Sequence, residues 1–302
     1  FGLAYADIST GTLASCEADR SALLRELSRI SAREVLTIGI PPGEITNASP
    51  KDDRPWLVDP IAGRETLERH FSVRGLEGLG LGGRPLASRA VGALLRYLEE
   101  TDESSMHVLT GVHVYSTTDF MELDSFTRHN LELELAGRDR RPDGSLLDVL
   151  DHTHTPMGAR RLREQLGRPL IDISRIQERH DRLDAFMVDH RLREETQAKL
   201  DRIGDLERLS NQVLRKSIGV IGVRHLAGAL DAVDEIVNGL SSDAPPLSKL
   251  RERLNPCKEA RQLIERAITD RGERLIKMEY SQELDRVTSE ASIAREGIAN
   301  LE

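Results

Sequence analysis

Residues 1–125 mix two periods of hydrophobic and polar positions. "GLAYADI" (2–8) and "TLASCEA" (12–18) alternate like strands and flank Ser9-Thr10-Gly11, a hairpin-type turn. Asp19 stands where an N-cap is needed, and Leu23, Leu24, Leu27 and Ile30 recur at helical spacing, predicting a helix over 20–30. "EVLTIGI" (34–40) predicts a short strand, and the Pro-, Asp- and Asn-rich stretch 41–60 a loop around Trp56. A short helix is expected over 64–71. The glycines of "GLEGLGLGG" (75–83) exclude a helix interior, and a stronger helix follows over 85–100, with Leu86, Ala90, Ala93, Leu94 and Tyr97 on one side. "MHVLTGVHVYS" and "DFMELD" read as extended. This is the pattern of a mixed α/β domain.

After Asn130 the period becomes helical throughout. Ser145 is the expected N-cap of one helix, with Asp148 at N3 in a variant capping box. Thr155 is the expected N-cap of the next, with Pro156 at N1, and Gly167 and Pro169 end it. Leu162 and Leu166 mark its buried side. Ser174 opens a helix carrying Ile176, Leu183, Phe186 and Met187. The stretches 191–217, 223–240 and 247–268 continue the pattern, Pro245-Pro246 joins the last two, and 281–302 is a charged helix. Long helices with short breaks predict an elongated all-α bundle. Repeats of constant length are absent.

Composition narrows this reading. Of 302 residues, 31% are charged and 3% aromatic, which suits a helix-rich chain with aliphatic cores. No apolar run approaches the ~20 residues that cross a bilayer. "FGLAYADIST" lacks a basic leader and a cleavage site, and reads as a strand already under way. With no initiator methionine, the chain is expected to be an excised fragment. Cys16 and Cys257 belong to no metal-spaced pattern, which argues for a reducing compartment and the cytoplasm. Net charge is −9, spread as −4 over residues 1–105 and −5 over the rest, so neither part has the basic character of a dedicated nucleic-acid-binding domain.

Candidate chemistry is sparse. Asp7, at the end of the first strand, can serve an RNase H-like metal-dependent nuclease, but converging carboxylate partners are not apparent, and a turn-capping role is favoured. His152 and His154 lack further ligands at a recognisable spacing. "GLEGLGLGG" lacks the Lys-Ser/Thr ending of a Walker A loop. Phe120-Met121-Glu122 spells Phe-x-Glu, yet Phe120 is expected to pack and Glu122 to face solvent. Of Arg160, Arg161, Arg163 and Arg168, Arg161 is a candidate for weak phosphate contact. Without Asn, Gln or aromatic companions these arginines are expected to be solvated rather than to read bases. Gly158, at N3 of its helix, implies a neighbour packed over its missing Cβ; an added methyl there is expected to cost roughly 1–3 kcal/mol.

"LDSFTRHNLEL" (123–133) and "GSLLDVLDHTHTPMGARRLREQLGRPLIDISRIQERHDRLDAF" (144–186) resemble the DNA mismatch-repair MutS family. The matching positions are Asp124, Thr127, Asn130, Leu131 and Glu132, then Ser145-Leu146, then Thr155, Pro156, Met157 and Gly158 with Arg160, then Pro169-Leu170 and Arg179. "IGDLERL" (203–209) supplies Asp205 and Arg208, and "EYSQELDRV" (279–287) matches the segment leading into the clamp, departing at Glu279 and Ser281. The part from Phe1 through "LLRYLEET" looks like the family's connector. The resemblance implies an α/β RNase H-like connector over 1–110, the first part of an all-α lever over 111–280, and the start of the clamp helix over 281–302. It implies no catalytic, cofactor or metal residue here, with ATP and Mg²⁺ bound in an ATPase domain elsewhere in the parent. Partners would be mismatched double-stranded DNA through the parent, MutL through the connector, and a second subunit, with no membrane. Asp124, Thr127, Asn130, Thr155, Pro156, Met157, Gly158, Asp205 and Arg208 would be structural motif residues. A nuclease using Asp7 and a helical interaction scaffold are the competing readings.

Overall fold

The computed structural model describes residues 1–37, 45, 59–240, 245–269 and 275–299. Its chain divides into two compact units: Phe1–Asp184 with Ser210–Ser217, and Ala185–Leu209 with Ile218–Glu302.

The first unit begins with the predicted hairpin. β1 (Gly2–Asp7) pairs antiparallel with β2 (Thr12–Glu17), and Gly11 takes the positive φ of 72° that the tight turn requires. β3 (His113–Val114) joins β2 in parallel, giving the order β1-β2-β3. α1 (Arg20–Ile30) is capped as expected, Asp19 accepting from the Ala22 N–H. α2 (Pro60–His70) starts earlier than the apolar spacing implies, because Asp59 accepts the Ile61 and Ala62 N–H groups and Pro60 pre-sets the first turn. α3 (Pro85–Thr101) has no side-chain cap from its own N-cap residue. Instead Glu17, at the end of β2, accepts the Leu86 and Ala87 N–H groups at 2.7 and 3.0 Å.

The buried face of α3 differs from the expected one. Ala87, Val91, Leu95 and Leu98 face the core, whereas Leu86 is exposed. Both stripes are apolar, so periodicity identifies the helix and its neighbours choose the side. α2 crosses close by: a Cβ on Gly92 would sit 2.7 Å from the Gly63 Cα. The core between the sheet and these helices holds Leu13, Leu67, Leu81, Met106 and Leu109. Met106 and Val108 lie in a 3-10 turn rather than an extended run, and of "DFMELD" only Phe120 forms a β-bridge, to Leu170. The strand expected at 34–40 and the loop around Trp56 fall largely outside the described residues.

The unit continues with α4 (Ser125–Asn130), α5 (Leu146–Leu150), α6 (Pro156–Gly167) and the part of α7 (Ile173–Val188) up to Asp184. Ser145 caps α5 by accepting the Asp148 N–H, while Asp148 reaches back to the Gly144 N–H, one residue short of the capping-box position. Thr155 caps α6, its Oγ1 accepting the Gly158 N–H at 3.0 Å. The cap of α7 is Asp172, which accepts from the Ser174 and Arg175 N–H groups; Ser174 itself lies inside the helix. Leu183 and Met187, expected inward, are exposed.

The helices expected over 191–217 and 247–268 are each interrupted. α8 (His190–Leu200) stops before Gly204, and Asp205 opens α9 (Leu206–Leu214). In the second unit α10 (Val220–Gly239) buries Ala229, Leu230, Ala232 and Ile236, and its packing neighbours are α8 and α12 (Lys258–Ala267). The ion pairs Arg202–Glu235 at 2.7 Å, Lys258–Asp234 at 3.3 Å and Arg261–Asp231 flank that packing. α11 (Pro245–Arg253) ends before Asn255-Pro256-Cys257. Pro256 lacks an N–H and Cys257 takes a φ of 47°, so no single helix crosses this point. α13 is Gln282–Ala299.

Candidate functional site

Glu26 on α1 collects an unusual set of partners. Its carboxylate accepts from Arg29 one turn along, from the Tyr115 hydroxyl at 2.8 Å, and from the Arg168 guanidinium, 142 positions away in sequence. Arg168 and Tyr115 are only 4% and 5% exposed. The Arg168 guanidinium lies 4.0 Å over the Tyr115 ring and 5.2 Å from that of Phe120. An arginine can be buried in this way because the carboxylate meets its charge and the ring faces meet its flat surface. Its Nε has no hydrogen-bond partner among the described residues, which leaves the ring beneath as its compensation.

Electrostatics agree with the geometry. Burial pushes the Glu26 carboxyl up, but the hydrogen bond and charge of Arg29, together with Arg168, outweigh it and hold the group below its ordinary range. Burial and then the Glu26 charge drive the Tyr115 phenol upward, so it remains a donor. Burial raises the Cys16 thiol as well, keeping it a neutral core side chain. Arg128 completes the arrangement at the end of α6. It donates to the Gly167 and Leu123 carbonyls, placing a cation on the helix C-terminus. A Cβ on Gly167 would meet Arg128 at 3.4 Å. Gly167 thus serves a close approach, and no positive φ is involved. Alongside, Met121 donates to the Pro169 carbonyl at 2.8 Å, and Arg25 pairs with Glu122.

A second seam lies within the same unit. Asn211 on α9, 7% exposed, donates to the Ser9 carbonyl in the β1–β2 turn at 2.9 Å. Arg215 donates to Ser105 at 2.7 Å, and Ser105 in turn donates to Asp102. Strand turn, 3-10 turn and helix are thereby joined by polar contacts.

The expected site residues fall mostly on caps. Asp124 caps α4, accepting the Thr127 N–H at 2.6 Å, and Asn130 ends that helix, exposed. Pro156 is exposed at N1, and Met157 is half-buried. A Cβ on Gly158 would meet Thr155 Oγ1 at 3.0 Å and Thr153 Cβ at 3.4 Å, so what crowds this glycine is its own capping turn and not a separate element. Asp205 accepts the Arg208 N–H and lies 3.4 Å from the Arg208 Nε. Arg161 is exposed and pairs with Glu164 on its own helix at 2.6 Å, and Arg163 lies 3.7 Å from Glu134. Asp7 Oδ1 accepts both the N–H and the hydroxyl of Ser9, as a turn cap does. Burial raises its pKa, but the bonds from Ser9 and Thr10 prevail and lower it. Among the described residues no cluster of three His, Cys, Asp or Glu is placed to hold a metal ion. The arrangement can hold elements in fixed register.

Sequence reasoning passed over Glu26, Arg29 and Tyr115, and grouped Arg168 with solvated arginines. The available signal was an arginine between Gly167 and Pro169, beyond the end of the helical stripe.

The family model described as MutS domain II matches residues 1–110, and that described as MutS domain III matches residues 126–293. A "DNA mismatch repair protein MutS" of Dehalococcoides mccartyi (strain CBDB1) is 35% identical over 313 aligned residues, covering 100% of this chain and 36% of the relative. Proteins of the same description from Roseiflexus castenholzii (strain DSM 13941 / HLO8) and Chlorobium chlorochromatii (strain CaD3) are 35% and 36% identical, covering 81% and 82% of this chain and 27% and 30% of their own lengths. The chain spans about a third of the length of these relatives. It belongs to the MutS family, of whose architecture it carries domains II and III.

Proposed function

We propose that this chain is the connector and the first part of the lever of a mismatch-recognition ATPase, and that its work is mechanical. The connector would have the RNase H-like arrangement. ATP and Mg²⁺ would bind in a separate ATPase domain of the parent, mismatched duplex DNA would be held by the parent as a homodimer in the cytoplasm, and MutL would dock on the connector. The chain itself would contribute no catalytic group.

The single observation that supports this reading is the burial of Arg168 between Glu26 and Tyr115. It ties the end of a domain III helix into the domain II fold. Packed elements joined by a desolvated charge pair move together or separate in a discrete step, which suits transmission between distant sites.

The test is replacement of the matching segment of the Dehalococcoides mccartyi relative by this chain. The chimera should restore a low spontaneous mutation frequency to a host lacking its own mismatch-recognition protein. A folded, soluble chimera that leaves the frequency at the deficient level overturns the proposal.

A further inference from the structure

Beside the Glu26–Arg168 pair, a cavity of about 30 Å³ opens between α1, the stretch before α4 and the end of α6. A single water needs roughly 10–15 Å³ of such space, so there is room for a larger guest. The walls include Arg25, Glu26, Phe120, Glu122, Arg128 and Arg168.

The charges around this cavity do not balance. Arg29 and Arg168 share the Glu26 carboxylate, which is largely withdrawn from water. Arg25 pairs with Glu122 at 2.8 Å, but the Glu122 side chain is 70% exposed, so water meets much of that charge. Arg128 is half-buried, and its hydrogen bonds go to the Gly167 and Leu123 carbonyls and to no carboxylate among the described residues. Burial and then the Arg29 charge push the Arg128 guanidinium below its ordinary pKa; Glu134 and Glu26 oppose this, and Arg168 adds to it. Glu134 is itself 3.7 Å from Arg163. Four guanidiniums thus crowd a junction around one largely buried carboxylate. Away from bulk water such an excess of cations is costly until an anion is brought to it.

We propose that this cavity binds a small free anion, of the size of a halide or of formate, between Arg25 and Arg128. Water would fill the space and leave the charge uncompensated, while a nucleotide or a duplex backbone exceeds the space. Once bound, the anion ties α1, α4 and the end of α6 more firmly together. The site follows from this chain's own charges and stands whether or not the chimera restores repair.

The experiment follows urea unfolding of the whole chain at constant ionic strength while chloride replaces gluconate, which is too large for the cavity. Above its dissociation constant, chloride should raise the folding equilibrium constant about tenfold for each tenfold of its free concentration. Formate should act as chloride does. Arg161→Gln, on the surface, should keep this dependence, and Arg128→Gln should lose most of it. The slope against chloride is the readout, so the stability that Arg128→Gln forfeits through its carbonyl bonds does not enter. Binding is read directly from the chloride NMR signal, which the folded, unsubstituted chain should broaden and added formate should narrow again. Equal chloride slopes in the unsubstituted chain and Arg128→Gln overturn the proposal, as does a chloride signal that the folded, unsubstituted chain leaves narrow.

Discussion

α6 and the residue after it carry the same residue type in opposite physical situations. Midway along the helix, Arg161 reaches Glu164 on the same helix, with both side chains in solvent. Past its end, Arg168 is withdrawn from water, held by Glu26 and laid on Tyr115. A surface pair gains little because water screens it and two long side chains must be ordered. A desolvated pair is costly to form, and costlier to leave half-made. An arginine's place in the packing, rather than its place in a motif, decides what it does for the fold.

The largest effect is expected from Arg168→Ala, which removes one of the two guanidiniums that neutralise the Glu26 carboxylate and opens a void against Tyr115. It should lower stability by about 3–5 kcal/mol, read as an earlier first transition in urea. Arg168→Lys should recover only a small part, since an ammonium neither stacks flat nor offers the guanidinium fork. A loss no larger than that of a surface arginine would erase the contrast between Arg168 and Arg161.

Glu26→Gln comes next, at roughly 3 kcal/mol, because two guanidiniums then share no carboxylate. The pH dependence sharpens this. The folded-state pKa of Glu26 is lowered, so its contribution is fully present above the unfolded value of about 4.3 and is lost as pH falls through the lower folded value. The parent chain should therefore lose more stability than Glu26→Gln on acidification below about pH 5. Parallel curves of melting temperature against pH would contradict the assignment.

At the helix start the effects shrink. Thr155→Ala should cost about 1 kcal/mol through loss of the bond to the Gly158 N–H. Gly158→Ala should cost less than about 1 kcal/mol, since crowding against Thr155 and Thr153 is partly offset by better helix propensity. The diagnostic is the double variant. With Thr155 already alanine the Oγ1 is gone, and Gly158→Ala should turn neutral or stabilising. Additive losses would show that some other element covers Gly158. Arg161→Ala should shift stability by less than about 0.5 kcal/mol, and high salt should erase even that.

Much of the local structure was legible beforehand. Asp19, Ser145 and Thr155 cap the helices they were expected to cap, each by accepting an N–H three residues on. The Ser9-Thr10-Gly11 turn and the MutS family were equally readable, the first from backbone chemistry and the second from resemblance. The errors share one origin. On α3 two apolar stripes competed, and packing against α2 and the sheet selected Ala87, Val91 and Leu95 over Leu86. On α7 Leu183 has the spacing of a buried residue and is exposed.

The sequence by itself determined where helices start and turn, because an N-cap or a glycine at positive φ acts within three or four residues of chain. It determined the family as well, through motifs that survive in linear order. Only the tertiary structure decided that Arg168 is a buried cation and Arg161 a solvated one. Glu26, Tyr115 and Arg168 are separated by 89 and 142 positions, and the free energy that fixes them arises from desolvation, which no window of residues carries until the chain has folded around it.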